Sequence, residues 1–189
     1  LNKITHKNFD DLCEQILNNE HILHADVIPK IVNRFFEKAL DEPVFAELYA
    51  KLCFEIANFE AQQNVNSSGT QKSNIRVSII NAAQNVFEHE GDFDEEHSDE
   101  EHRDMFRKRK INNIKFVAEL FKQQMISKKI ISHILKSKLM TEEAPRESDA
   151  EVSCQLLMAI GHILDKDEGH GIGNVFNRVE SLINKSHMP

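Results

Sequence analysis

Apolar residues recur at three- and four-residue steps along most of the chain, which is the spacing of one face of an α-helix. No window has the sustained alternation of apolar and polar residues that is typical of a half-buried strand. We therefore predict an all-α protein with eight helices. Their expected positions are about 9–17, 27–40, 43–56 and 74–87, a fifth helix containing 107–121, and then about 128–139, 148–164 and 172–183.

Taken in pairs, these helices form hairpins at intervals near the forty-odd residues of a HEAT repeat. The hairpins are expected at about 6–40, 43–88, 103–140 and 147–185, within one domain, 1–189. Because stacked hairpins bury their apolar faces against their neighbours, we expect a HEAT-type α-α superhelix, a right-handed, crescent-shaped solenoid of about four hairpins. The alternative is a four-helix bundle duplicated in tandem, which the helix spacing alone does not exclude.

Two polar segments interrupt the pattern, at about 61–72 and 90–103. Both are poor in apolar side chains and therefore offer little surface for packing. We expect flexible loops there.

The composition limits where the protein works. Apolar residues make up 40% of the chain, and no apolar run approaches the length of a membrane span. Cys13, Cys53 and Cys154 are odd in number and far apart, which favours buried free thiols in a reducing compartment. We expect a soluble, cytoplasmic monomer without a membrane segment.

The sequence lacks the common signatures of catalytic sites. The chain contains neither GxxxxGK[ST] nor GxSxG, the patterns of nucleotide-hydrolysing and serine acyl-transfer sites. His89, His97 and His102 are spaced so that they do not share one helical face, and no CxxC pair exists for a metal. We expect no catalytic residue, no cofactor and no metal. A helical enzyme or small-ligand carrier remains an alternative, and it would require a deep pocket with convergent polar groups.

The segment RKRKINNIKFVAELF, 107–121, joins a basic cluster to an amphipathic helix. Its apolar residues recur at helical spacing and form one predicted buried stripe. The stripe consists of Ile111, Ile114, Val117, Ala118 and Phe121. The same pattern places Asn113, Lys115, Phe116 and Glu119 near its edges or outside it.

Three segments together resemble the middle domain of the eukaryotic translation initiation factor 4G family. They are the opening LNKIT at 1–5, FEKALDEPVFAELYAKLC at 36–53, and the segment 107–121. The family domain has five HEAT hairpins, whereas four are predicted here, so the fifth is expected to be missing from this chain. Asn112 stands where the family usually has glycine, and Lys110 where it often has serine.

The resemblance implies a function as well as a fold. The family domain is a non-catalytic scaffold of cap-dependent translation initiation that binds and stimulates the DEAD-box RNA helicase initiation factor 4A. It also binds messenger RNA through backbone contacts and contacts initiation factor 3. A related HEAT-type adaptor of messenger-RNA decay, splicing or cap-binding complexes is the alternative reading of the same features.

Candidate contact residues follow from the matched segments and from the exposed turns of a solenoid. For the helicase they are Asn2, Lys3, Glu42, Pro43, Phe45, Asn113, Lys115 and Phe116. For RNA they are Arg107, Lys108, Arg109, Lys110 and Lys115, with Lys122, Lys128 and Lys129 further along. Asn113 is a candidate because asparagine has a low propensity for helix interiors and usually has a hydrogen-bonding reason to be there. The acidic run before Arg107 is expected to screen the basic cluster.

Overall fold

A computed structural model describes residues 4–19, 21–22, 24, 26–65, 74–89, 99–139, 146–165 and 172–186. The described part contains eight α-helices and a single 3₁₀ turn, with no strand. The helices are α1 (Phe9–Leu17), α2 (Ile28–Asp41), α3 (Ala46–Val65), α4 (Asn74–His89), α5 (Glu100–Lys122), α6 (Lys128–Leu139), α7 (Glu147–Leu164) and α8 (Ile172–Ser186), and the 3₁₀ turn is Pro43–Phe45. The predicted all-α class is confirmed.

The helices form two compact units, Leu1–Ile126 and Ser127–Pro189. In the first unit, α2 packs against α3, α4 and α5, and α3 also contacts α1. In the second unit, α6 contacts both α7 and α8. Side-by-side packing of successive helices within a unit is the arrangement that HEAT-type repeats use to bury their apolar faces. The grouping into four hairpins of a single domain stays a prediction.

Aromatic side chains dominate the core of the first unit. Phe36 of α2 and Phe116 of α5 meet edge to face, with ring centroids 4.8 Å apart and planes at 80°. Phe35 lies beside Tyr49 of α3, with centroids 6.3 Å apart. All four side chains are buried. Such ring pairs add about 0.5–1.5 kcal/mol to the stabilisation from burial, so they fix α2 against α3 and α5.

The second unit combines a small aliphatic core with polar links between its helices. The core contains Ile131, Leu135, Val152, Leu156, Ile160 and Val175. Lys138 of α6 pairs with Asp149 of α7 at 3.0 Å. Arg178 of α8 donates from Nε to the carbonyl oxygen of Leu139 at 3.1 Å, which satisfies an acceptor at the end of α6.

Two predicted loops begin or end in the wrong place. The polar segment expected from residue 61 is helical as far as Val65, because alanine and glutamine sustain a helix without an apolar face. The acidic segment expected as a loop through 103 is helical from Glu100. Asp99 caps this helix by accepting the backbone N–H of His102 at 2.9 Å, and the acids of the first turn favour its positive dipole end. The rest of both segments, 66–73 and 90–98, lies outside the described residues.

The cysteines agree with the prediction in two of three cases. Cys13 and Cys53 are buried free thiols, whereas Cys154 is exposed. Burial raises the pKa of the Cys53 thiol to about 12. Cys154 lies on α7 between the buried residues Val152 and Leu156, on the side of the helix that the core does not cover.

Candidate partner-binding surface

The turn after α2 presents an apolar side chain to solvent. Glu42 ends α2, and its backbone N–H still donates to the Lys38 carbonyl oxygen at 2.8 Å. Pro43 then begins the 3₁₀ turn, which suits its fixed backbone angle. Pro43 and Phe45 are half-buried, but Val44 between them is 84% exposed. A valine this exposed at a turn is available to a partner.

Helix α5 lies directly beside this turn. The Asn112 side chain donates from Nδ2 to the carbonyl oxygen of Leu40 at 2.9 Å, near the end of α2. One turn earlier, Arg109 Nη1 lies 4.0 Å from Asp41 Oδ1. Two segments about seventy residues apart in sequence are therefore neighbours. We call the set Asp41, Glu42, Pro43, Val44 and Arg109 the turn–helix surface.

The basic positions of α5 are not equivalent. Arg107, Lys108 and Arg109 are exposed, but Lys110 is only 6% exposed and its Nζ lies 4.8 Å from the centre of the Phe106 ring. A cation over an aromatic face is stabilised there, so the Lys110 ammonium group is held against the Phe106 ring. Of the residues predicted to contact RNA, Lys110 is the one that the structure withdraws from solvent.

A row of polar residues follows one face of α5. Lys108, Asn112 and Lys115 lie at helical steps of four and three residues, which places them on one side. Lys108 and Lys115 are exposed, and neither forms an ion pair with a described residue. Further along, Lys122 pairs with Glu119 at 2.7 Å. Lys108 and Lys115 are about 10 Å apart along the helix axis.

Asn113 and Phe116 are not at the surface, contrary to the predicted placement. Both are 0% exposed. The prediction assumed that α5 is covered on one side, whereas α5 packs against α2 and α3 together, so its buried face is wider than one stripe. Lys115 is exposed as predicted.

The buried Tyr49 hydroxyl lies near the Glu42 carboxylate, but neither this hydroxyl nor Glu42 Oε2 has a hydrogen-bond partner among the described residues. The pKa of the Tyr49 hydroxyl is raised to about 12, first by burial and then by the neighbouring Glu42 carboxylate, which disfavours a second negative charge. Lys38 Nζ lies 3.6 Å from the same carboxylate. The phenol is therefore neutral at physiological pH. The Glu42 side chain is held close to α2 by Lys38 and does not project freely into solvent.

Several predicted residues fall outside this surface. Asn2 and Lys3 lie outside the described residues. Lys128 and Lys129 belong to the second unit.

Within the described part of the chain, no group of three or more metal-ligating side chains could hold an ion. No helix described by the structure has both the length and the apolar character needed to cross a membrane.

Comparison with known proteins shows the family of this chain. The MIF4G domain family matches residues 1–189, the whole chain. The chain belongs to the MIF4G domain family. The predicted resemblance to the initiation factor 4G middle domain is confirmed.

Curated relatives of this MIF4G domain are translation initiation factors. Eukaryotic translation initiation factor 4G of Arabidopsis thaliana is 31% identical over 183 residues, covering 89% of this chain and 10% of the relative. The Triticum aestivum protein of the same name is 31% identical over 199 residues, covering 96% and 13%. Human eukaryotic translation initiation factor 4 gamma 2 is 29% identical over 211 residues, covering 100% and 23%. The chain thus spans less than a quarter of the length of these relatives.

Sequence reasoning missed two residues of the turn–helix surface, Val44 and Asp41. Val44 stands in an apolar-looking stretch, PVFAELYA, where nothing marks it as exposed. One signal was present: Pro43 opens a new helical segment, and the first residues of a helix are covered by few neighbours. The pairing of Asp41 with Arg109 depends on how α2 and α5 pack, which no local pattern reveals.

Proposed function

We propose that this MIF4G domain is a non-catalytic scaffold of translation initiation that binds and stimulates the DEAD-box RNA helicase initiation factor 4A. RNA and initiation factor 3 are further proposed partners, and the cytoplasm is the proposed compartment. The carrying observation is the turn–helix surface, where the exposed Val44 lies beside the charged pair Asp41–Arg109. Membership in the family and the initiation-factor relatives support the class of partner.

The surface has the make-up of a protein-binding site. Val44 provides an apolar contact that is 84% exposed, and Asp41 and Arg109 flank it with charges of both signs. Interfaces commonly place an apolar contact at the centre with polar residues around it. Lys115 lies further along α5 and extends the charged part of the surface.

The proposed mechanism is a soft clamp. A DEAD-box helicase has two domains joined by a flexible linker, so its productive arrangement is one of several populated states. A scaffold that contacts both domains shifts the population by the difference between its affinities for those states. The scaffold itself needs no reacting group.

The test is calorimetric titration of this chain with purified initiation factor 4A, in the presence of RNA and an ATP analogue. Val44→Asp places a charge where the apolar contact is proposed, and we expect at least about tenfold weaker binding, or about 1.4 kcal/mol. Lys115→Glu is expected to weaken binding in the same direction. Stimulation of the helicase ATPase should fall in parallel.

Matched controls separate a local effect from a general one. Val77→Asp makes the same change at a valine of α4 that is 43% exposed, and Lys136→Glu reverses an exposed lysine of α6. Both controls should bind like the wild type. If the wild type does not bind, the helicase proposal is wrong for this chain. If it binds and all four variants bind equally well, the turn–helix surface is not the contact.

A further inference from the structure

A groove runs between α1 and α3, and none of the described residues predicted to contact helicase or RNA lines it. Its volume is about 520 Å³. It is lined by Phe9, Asp10, Cys13, Glu14, Leu17, Asn18, Lys51, Glu55 and Phe59. Each lining row advances by four residues, so the groove follows both helices for slightly more than two turns, about 12 Å.

The two helices are in register along the groove. Lys51 Nζ lies 4.5 Å from the centre of the Phe9 ring, which pairs the beginning of α1 with residue 51 of α3. One turn along, Glu55 is the charged group that most strongly affects the Cys13 thiol. The next turn brings Leu17 and Phe59, both half-buried, to the same end. The groove therefore has a charged middle and an apolar end.

Negative charge prevails from the Phe9 end of the groove to its middle. Asp10, Glu14 and Glu55 contribute three carboxylates against the single ammonium group of Lys51, which already lies over Phe9. This excess of negative charge affects the buried Cys13 thiol. Its pKa is raised first by burial, and then by the carboxylates of Glu55 and Asp10, with Lys51 opposing them.

We propose that this groove is a docking site for a short amphipathic helix of a partner protein, carrying a leucine-like side chain and an arginine or lysine four residues apart. The apolar side chain lies against Leu17 and Phe59, and the cation lies between Glu14 and Glu55. Charge complementarity selects a basic helix over an acidic one. A spacing of four residues on the incoming helix matches the turn-to-turn spacing of the rows that line the groove.

The probe is a fluorescein-labelled, alanine-based helical peptide of about sixteen residues, with leucine and arginine alternating four residues apart on one face. Two matched peptides accompany it, one with the same composition scrambled and one with glutamate replacing arginine. Fluorescence anisotropy with the full chain measures binding. We expect saturable binding of the leucine–arginine peptide, and at least about tenfold weaker binding of the other two.

Charge reversal in the protein locates the site. Glu55→Lys and Glu14→Lys should each weaken peptide binding about tenfold, because attraction is replaced by repulsion. Their controls are Glu47→Lys on α3 and Asp11→Lys on α1, exposed acids that do not line the groove and carry the same charge change. The controls should bind the peptide like the wild type. Circular dichroism verifies that all four variants keep the helical spectrum.

Several results would overturn the proposal. Equal binding of the three peptides would show attraction without a shaped site. Equal losses in groove and control variants would show that net charge alone acts. Self-association detected by sedimentation velocity and abolished by Glu55→Lys would assign the groove to a second copy of the chain instead of a partner helix.

Discussion

Asn112 and Asn113 are adjacent in α5 but lie in different environments. Asn112 is half-buried and donates a 2.9 Å hydrogen bond to the Leu40 carbonyl oxygen. Asn113 is 0% exposed, and neither atom of its amide has a hydrogen-bond partner among the described residues. The sequence predicted a hydrogen-bonding reason for an asparagine at 113. In the structure it is the preceding residue, Asn112, whose side chain makes such a hydrogen bond.

Opposite effects on stability are expected at these two positions. A buried amide without a partner costs about 1–3 kcal/mol, so Asn113→Leu, which keeps the branched shape, is expected to leave the free energy of unfolding unchanged or to raise it by about 1 kcal/mol. Asn112→Leu removes a hydrogen bond and should lower it by about 1 kcal/mol. Urea denaturation followed by circular dichroism measures both. A large loss of stability in Asn113→Leu would mean that its amide is satisfied in solution.

At the scale of the element, α4 is capped by a residue of another helix. Glu60 of α3 is 2% exposed, and its carboxylate accepts the backbone N–H groups of Asn74 at 2.8 Å and Ile75 at 3.3 Å. The first N–H groups of a helix have no partner within it. Glu60 is the partner of two of these groups, fourteen and fifteen residues away in sequence, and its negative charge also favours the positive end of the helix dipole.

Removing this cap should therefore weaken α4 specifically. Glu60→Ala is expected to lower the free energy of unfolding by about 1.5–3 kcal/mol, the range for hydrogen bonds to a charged group. Glu47→Ala, at an exposed acid of the same helix, should change it by less than about 0.5 kcal/mol. Denaturant midpoints compare the two variants. Equal midpoints would contradict a capping role for Glu60.

The sequence predicted the helices better than their ends. The bounds of α6 agree with the prediction, because apolar periodicity stops clearly on both sides. The start of α5 was placed too late, because acidic residues after Asp99 read as a loop by composition although they favour a helix beginning there. A cap such as Glu60 has no local signature, since donor and acceptor come from different helices.

At the scale of the whole molecule, a net charge of −8 accompanies a proposed RNA contact. The contact depends on the local row of exposed lysines on α5, not on the overall charge. Exposed charges farther apart than about 8 Å are largely screened at physiological salt, so distant acids repel RNA less than nearby lysines attract it. The proposed binding is to phosphates and is independent of base sequence.

Salt dependence tests this local attraction. The logarithm of the affinity for a single-stranded oligouridine should fall linearly with the logarithm of salt concentration, and Lys115→Glu should reduce the steepness by about one. Lys136→Glu changes the net charge equally on α6 and should leave the steepness unchanged. Anisotropy titrations across salt concentrations supply the slopes. The same reduction in both variants would indicate that net charge, not the α5 row, controls binding.

The sequence by itself determined the all-α class, the approximate position of each helix and the family, because periodicity and short motifs are local properties of the chain. Tertiary structure decided which residues face solvent. Asn113 and Phe116 are buried because α5 packs against two helices, and Cys154 is exposed because α7 is covered on one side only. The joining of the α2–α3 turn to α5 and the groove between α1 and α3 also arise from packing. A helical pattern predicts that one face of a helix is buried. How wide that buried face is, and which helix covers it, depend on which helices pack together.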